Sequence, residues 1–221
     1  MTRKPSRRRF LAASGAALGM AALDAAGQAR RATPDLDRQV SAFLDAQRDR
    51  WDYLNVPYQD GKILHDLVVK LGAKRILEIG TSTGHSTIWL AWAAAKTGGK
   101  VTTIEIDRGR HDRALANLKR AGVAEYVDAR LADAHELVTA LPGPWDFVFQ
   151  DADKEWYLQY FLALDPKMAA GGCYTAHNVA RPTAREVREF LARVRGDPRY
   201  DTRFAEGASG EGISVSCRKA G

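Results

Sequence analysis

The chain has 221 residues, a formal net charge of +6 and 45% hydrophobic residues, which is enough for one domain with a sizeable core. Residues 1–31 carry seven bases against the single acid Asp24, which accounts for the whole net charge and leaves residues 32–221 neutral. The body therefore gives no charge argument for binding nucleic acid. Two cysteines, Cys173 and Cys217, are too few for a disulfide-built scaffold.

The first segment reads as an address. A charged start precedes the apolar run Phe10 to Leu23, rich in Ala and Gly. That run is short for a membrane span of roughly 20 residues and fits a secretory h-region. Ser6-Arg7-Arg8-Arg9-Phe10-Leu11 resembles the twin-arginine export signal, and Gly27-Gln28-Ala29 offers a small-residue cleavage site. Residues 1–29 are therefore expected to be a signal and residues 30–221 the folded domain. An amphipathic or disordered basic tail is the alternative. With the signal removed, no stable membrane insertion is expected. The location implied is the periplasm or beyond, or the cytoplasm if the signal is not used.

From Leu36 the apolar spacing predicts a helix that Pro57 ends, and a second helix runs from Ile63 to Leu71, closed by Gly72. Strand and helix then alternate: strand 75–80, helix 85–97, strand 101–106, helix 111–122, strand 126–131 and strand 145–152. A helix over about 155–165 follows, then Gly171-Gly172 turns into a strand over 173–178. Thr183-x-x-Glu186 predicts a capping box opening a helix with Val187, Phe190, Leu191 and Val194 on one face. Two closing strands, 201–206 and 212–219, suggest an antiparallel hairpin at one edge. The class is α/β, a doubly wound, seven-stranded, mostly parallel sheet with N-terminal helices.

Strand ends are where such sheets place their chemistry. The stretch Glu78-Ile79-Gly80-Thr81-Ser82-Thr83-Gly84-His85-Ser86 follows the first strand and opens a helix. It lacks the third glycine of a dinucleotide loop, which disfavours a nicotinamide dehydrogenase. Its leading acid, Glu78, suits a cationic ligand better than a phosphate. Glu105 ends the second strand at the distance where an acid takes ribose hydroxyls, or it is merely a solvated strand end.

LEIGTSTGHS, TIEID, LADA, FQDADK and HNV, in this order and spacing, resemble the small S-adenosylmethionine-dependent O-methyltransferases of the catechol and caffeoyl-CoA type. The resemblance spans roughly Val56 to Lys219. It implies a class I, Rossmann-like methyltransferase fold with S-adenosylmethionine as cofactor. Gly80, Ser82 and Ser86 would line its methionine part, with Val56 touching it. Glu105 would hold the ribose, and Asp133 with Ala134 the adenine. Asp151 would lie near the methionine end and also ligate a divalent metal, with Asn178 as a second ligand. Lys154 would take the acceptor hydroxyl's proton; a surface lysine at a helix start is the alternative. The acceptor implied is a small hydroxylated, aromatic molecule, and the resemblance together with the apolar N-terminal helices suggests a homodimer.

The family pattern has Asp-Asn where this chain has His177-Asn178. Imidazole suits a transition metal better than Mg²⁺. His177 therefore has three readings: a ligand with Asp151 and Asn178, a general base in the metal's place, or the mark of a lost metal site. The last belongs with the alternative of an exported, non-catalytic protein that binds an S-adenosyl ligand or a metal. In the family's sheet the final strand runs antiparallel beside the fifth, which would bring Cys173 near Cys217. Register is not fixed by sequence, so two reduced, buried thiols are the expectation and a disulfide the alternative.

Overall fold

The computed structural model describes residues 33–51 and 54–220. The signal expected over residues 1–29 lies outside them. Two helices, α1 (Pro34–Gln47) and α2 (Tyr58–Leu71), precede the sheet. Thr33 caps α1 by accepting from the Leu36 amide, and Pro34 starts it at a position where its missing N–H costs nothing. Gly72 ends α2 in the left-handed conformation. The second helix begins at Tyr58, five residues before the expected Ile63, because Pro57 serves as its N-cap rather than as a spacer.

The alternating body follows as β1 (Arg75–Ile79), α3 (His85–Thr97), β2 (Lys100–Glu105), α4 (Arg108–Ala121), β3 (Val127–Leu131), α5 (Ala134–Ala140) and β4 (Trp145–Gln150). It continues through α6 (Tyr157–Leu164), β5 (Met168–His177), α7 (Arg185–Gly196), β6 (Tyr200–Phe204) and β7 (Ile213–Arg218). The sheet has seven strands in the order β3-β2-β1-β4-β5-β7-β6. All pairs from β3 to β5 are parallel, and β7 runs antiparallel to both β5 and β6. This is the α/β, doubly wound, seven-stranded class expected, with the antiparallel hairpin at one edge.

Neighbouring strand residues feed opposite faces, as the period of two requires. Ile76, Phe147 and Phe149 join the layer under α1 to α4, whereas Leu77, Val148 and Tyr174 join the layer under α5 to α7. Both sides of the sheet are therefore largely apolar, and buried polar residues within it such as Thr103 and Thr175 are hydrogen-bonded inside the fold.

Three local expectations are corrected. No capping box forms at Thr183: α7 starts at Arg185 with Ala184 as N-cap and no side-chain cap. The helix begins one residue too late for the box, and the Thr183 carbonyl accepts instead from the Arg188 guanidinium at 2.7 Å. The turn expected at Gly171-Gly172 lies inside β5, where Gly171 takes φ +76° at a register shift against β4; glycine allows a bulge there without breaking the strand. Cys173 pairs in register with Cys217 and the two form a disulfide, so the expected reduced thiols give way to the alternative. Antiparallel pairing sets their Cα atoms 4.0 Å apart. Among the described residues, no helix is long and apolar enough to cross a membrane.

Candidate active site

Strand order reverses between β1 and β4, and a crevice opens beyond their carboxyl ends. A cavity of about 610 Å³ occupies it, a size typical of small-molecule sites. One wall is the glycine turn after β1. Gly80 takes φ +97°, and a Cβ there would come within 2.5 Å of the Asp151 carbonyl oxygen. Only glycine lets the β1 and β4 ends approach this closely. Ser82 also takes a positive φ, 49°, held by its amide donating to Glu105 Oε2 at 2.8 Å.

Glu105 closes the cavity at the end of β2. Its Oε1 accepts from the Asp107 amide at 2.9 Å and from the Arg110 guanidinium at 2.8 and 3.0 Å. Asp133, the N-cap of α5, accepts from the His135 amide, and Ala134 lines the cavity beside it. His135 lines the cavity here, backed by Trp156 stacked at 3.7 Å and held through Nε2 by Asp153 Oδ2 at 3.0 Å.

Gly80, Ser82, Glu105, Asp133, Ala134, Asp151, Lys154, His177 and Asn178 thus all border one cavity. Val56, Glu78 and Ser86 do not; they lie behind the glycine turn. Val56 is buried, and its carbonyl accepts from His85 Nδ1 at 2.8 Å. Burial pushes His85 down to about 4, so it is a neutral structural group that accepts from Trp89 Nε1 at 3.1 Å. Ser86 is buried in the first turn of α3. Glu78 is fully buried, and its Oε2 accepts from Thr87 at 2.5 Å and Thr103 at 2.6 Å. Burial pushes its carboxyl up to about 7 against those hydrogen bonds.

The donor set at the turn fits a polar, cationic small molecule such as the methionine end of S-adenosylmethionine. Ser82 Oγ and Glu78 Oε1 are buried without a hydrogen-bond partner, and unmet polar atoms of this kind normally find one. Ser82 Oγ faces the question directly, since its residue borders the cavity.

Beyond β4 and β5 stands a chain of charges. His177, 1% exposed, directs Nε2 to Asp60 Oδ2 at 2.8 Å and Nδ1 to Asp151 Oδ2 at 3.2 Å. Burial alone would lower its pKa, but Asp151 and Asp60 outweigh that and raise it to about 9. The other oxygen of Asp151 accepts from Lys154 Nζ at 2.8 Å. Lys154 also donates to the Ala152 carbonyl and to Tyr157 Oη. Asp60 sits on α2, fully buried, and accepts from Ser209 N and Oγ at 2.7 and 2.6 Å. Burial pushes Asp60 and Asp151 up, but their hydrogen bonds and cationic neighbours hold both below the ordinary carboxylate value.

This arrangement does not fit a metal ion on Asp151, His177 and Asn178. Both ring nitrogens of His177 and both oxygens of Asp151 are engaged within the chain. Asn178 leaves β5 at φ 55° and turns its amide to Glu211 Oε2 at 2.8 Å. Among the described residues, no group of three His, Cys, Asp or Glu side chains is arranged to hold a metal ion.

Sequence reasoning missed Asp60, Arg110, Ser209 and Glu211. Asp60 had a signal: it falls in line with Leu64 and Val68, at i, i+4 and i+8, so a lone acid stands on the buried stripe of α2. Such a residue demands a partner.

The O-methyltransferase family profile matches residues 38–183. A catechol O-methyltransferase of Mycobacterium tuberculosis is 42% identical over 57% of this chain and 57% of its own length. One from Niastella koreensis is 37% identical over 58% and 59%. The matched region thus spans under two thirds of these two relatives. A caffeoyl-CoA O-methyltransferase of Eucalyptus globulus is 30% identical over 76% of each chain. Among solved structures, an O-methyltransferase from Bacillus cereus in complex with SAH superposes with a TM-score of 0.69, at 28% identity, over 85% of this chain and 92% of its own. One from Streptomyces achromogenes involved in tomaymycin synthesis, in complex with SAM, gives 0.71 at 29% identity over 83% and 90%. The glycine turn, the acid ending β2 and the Asp151–Lys154 pair all lie inside the matched stretch, and the chain belongs to the O-methyltransferase family.

Proposed function

We propose that the protein transfers a methyl group from S-adenosylmethionine to a hydroxyl of a small aromatic acceptor of the catechol class. The observation that carries this reading is the Lys154–Asp151 pair opening on the same cavity as Gly80, Ser82 and Glu105. A site that only stored an S-adenosyl ligand would need no lysine there. The names of the relatives and the ligands of the neighbouring structures point the same way.

Glu105 offers its carboxylate to paired hydroxyls, with Arg110 releasing one oxygen to them. The His135 side of the cavity receives a flat ring, and Ser82 Oγ gains the partner it lacks. The cofactor supplies a methyl group on a sulfonium: the new O–C bond forms as the S–C bond breaks, and that bond's electron pair stays on sulfur as a neutral thioether. Lys154 rests as the ammonium on Asp151; once Nζ has released a proton to solvent, it takes the acceptor's hydroxyl proton and is the ammonium again. Asp151 aims Nζ throughout, and Tyr157 Oη fixes it from the other side.

Titration calorimetry with S-adenosylhomocysteine, followed by mass analysis of a catechol incubated with S-adenosylmethionine, tests the reading. Binding and a product heavier by one methylene are expected. Tight binding of NAD, with no response to the S-adenosyl ligand, would sink it.

A further inference from the structure

The position at which a metal ligand is expected carries a cation of the chain's own. Asp60, His177, Asp151 and Lys154 form a row of alternating sign, with contacts of 2.8, 3.2 and 2.8 Å. Every link is a charge-assisted hydrogen bond, and every charge in the row has an opposite neighbour. The row is anchored at both ends. Asp60 is fixed by Ser209 on the loop between β6 and β7, and Lys154 by Tyr157 at the start of α6.

A divalent ion entering here would have to strip His177 of a proton and pull Asp151 away from both its cations. It would take the place of the proton that Asp151 accepts from Nδ1, so Asp60 would keep a neutral N–H in place of its imidazolium partner. The neighbouring Glu211, 3.6 Å from His177 Nε2, is already held by Asn178. A divalent ion at such a site would hold the aspartate, offset its charge and polarise the acceptor hydroxyl. Imidazole with a carboxylate on each side does the first two and leaves the hydroxyl's proton to Lys154.

We propose that His177 is a positioning residue that takes the place of a divalent ion. Clamped between Asp60 and Asp151, it holds Asp151 and through it Lys154, so that methyl transfer by this chain needs no metal. The inference rests on the transferase reading above. It assigns Asp60 a role as well, since without that carboxylate the ring could swing and offer a nitrogen to a metal.

The test uses the full chain, treated with EDTA and desalted. Mn²⁺ titration followed by electron paramagnetic resonance should show no stoichiometric binding. Turnover of a catechol should stay within about twofold of the untreated rate, and Mg²⁺, Mn²⁺ or Zn²⁺ should not raise it. His177→Asp replaces the internal cation with a third carboxylate. It should bind Mn²⁺, lose about 10- to 100-fold in rate, the range for a lost supporting contact at such a centre, and recover on adding the ion. A merely structural histidine would not exchange metal independence for metal dependence. Stoichiometric Mn²⁺ binding by the unmodified chain, or EDTA-sensitive turnover restored by a divalent ion, would overturn the inference. Those two measurements decide it even if His177→Asp fails to fold. Absence of turnover with and without metal, with S-adenosylhomocysteine still bound, would instead defeat the transferase reading, and the Mn²⁺ titration alone would then decide whether His177 excludes a metal.

Discussion

Substituting Asp60→Asn keeps the shape of the buried row and removes one of its charges. His177 lies between Asp60 and Asp151, with Glu211 at 3.6 Å and Lys154 across Asp151. Its pKa is raised from the ordinary 6.5 to about 9. A raised folded value means that the stabilisation is complete below pH 6.5 and disappears as pH climbs through about 9. The size over that interval is about 3 kcal/mol, at about 1.4 kcal/mol per tenfold change in proton affinity. Asp60 and Asp151 act in the opposite sense: their lowered values stabilise the fold above the ordinary 3.8, and that contribution is lost as pH falls below it. The row's own contribution to stability should therefore be greatest between about pH 4 and 6.5. In Asp60→Asn, His177 keeps Asp151, so the fold should lose part of that contribution, about 1.5 kcal/mol at pH 6.5. For a chain of this size that lowers Tm by about 3–6 °C. Urea unfolding followed by tryptophan fluorescence at pH 6.5, 8 and 9.5 measures it. The gap between native and variant should narrow steadily toward pH 9.5, where the native protein has lost its own share. A gap that stays constant across that range would refute the charged clamp and leave Asp60 as a neutral hydrogen-bond acceptor.

Glu105→Gln should weaken S-adenosylhomocysteine by about 1.5–3 kcal/mol in calorimetry, the range for hydrogen bonds to a charged group; unchanged affinity would remove Glu105 from the cofactor site. Cys173→Ser with Cys217→Ser opens a cross-link spanning 44 residues, for which chain entropy gives about 4 kcal/mol; urea midpoints unaffected by the pair, or two cysteines alkylated without reductant in oxidised protein, would contradict the bridge. A reporter placed behind residues 1–35 should reach the bacterial periplasm only through an intact twin-arginine pathway and stop when Arg7 and Arg8 become Lys. Retention in the cytoplasm in every strain would overturn the export reading.

Periodicity revealed the alternating body because each buried strand here is a short apolar run between turn residues. RILEI, VTTIE and WDFVFQ appear as β1, β2 and β4 within a residue or two of expectation. Helix α5 escaped because AHELVTA is seven residues long and only Val138 is buried. The Gly171-Gly172 pair misled because glycine in a strand marks a bulge as readily as an end. At the site, motif order located Gly80, Ser82, Glu105, Asp133, Asp151 and Lys154, all of which border the cavity. It could not separate the residues that line the cavity from those behind it, such as Glu78, whose burial follows from how α3 closes over β1. His177 was visible as a departure, but its chemistry depends on Asp60, which comes from a helix folded before the sheet begins.

That dependence explains how one substitution at the end of β5 alters the whole centre. An imidazole at position 177 without a carboxylate beside it would be a buried base, and burial would then favour the neutral ring. Asp151 and Asp60 together reverse the balance, and Ser209 fills the remaining hydrogen-bonding capacity of Asp60. Ser209 and Glu211 both lie beyond residue 183, where the family match ends. The loop between β6 and β7 fixes the acid that pairs with His177 and, through Glu211 on Asn178, borders the cavity. Asp60, Asp151, Lys154 and His177 lie inside the matched stretch and Ser209 and Glu211 beyond it, so His177 acts within a set of linked residues drawn from both.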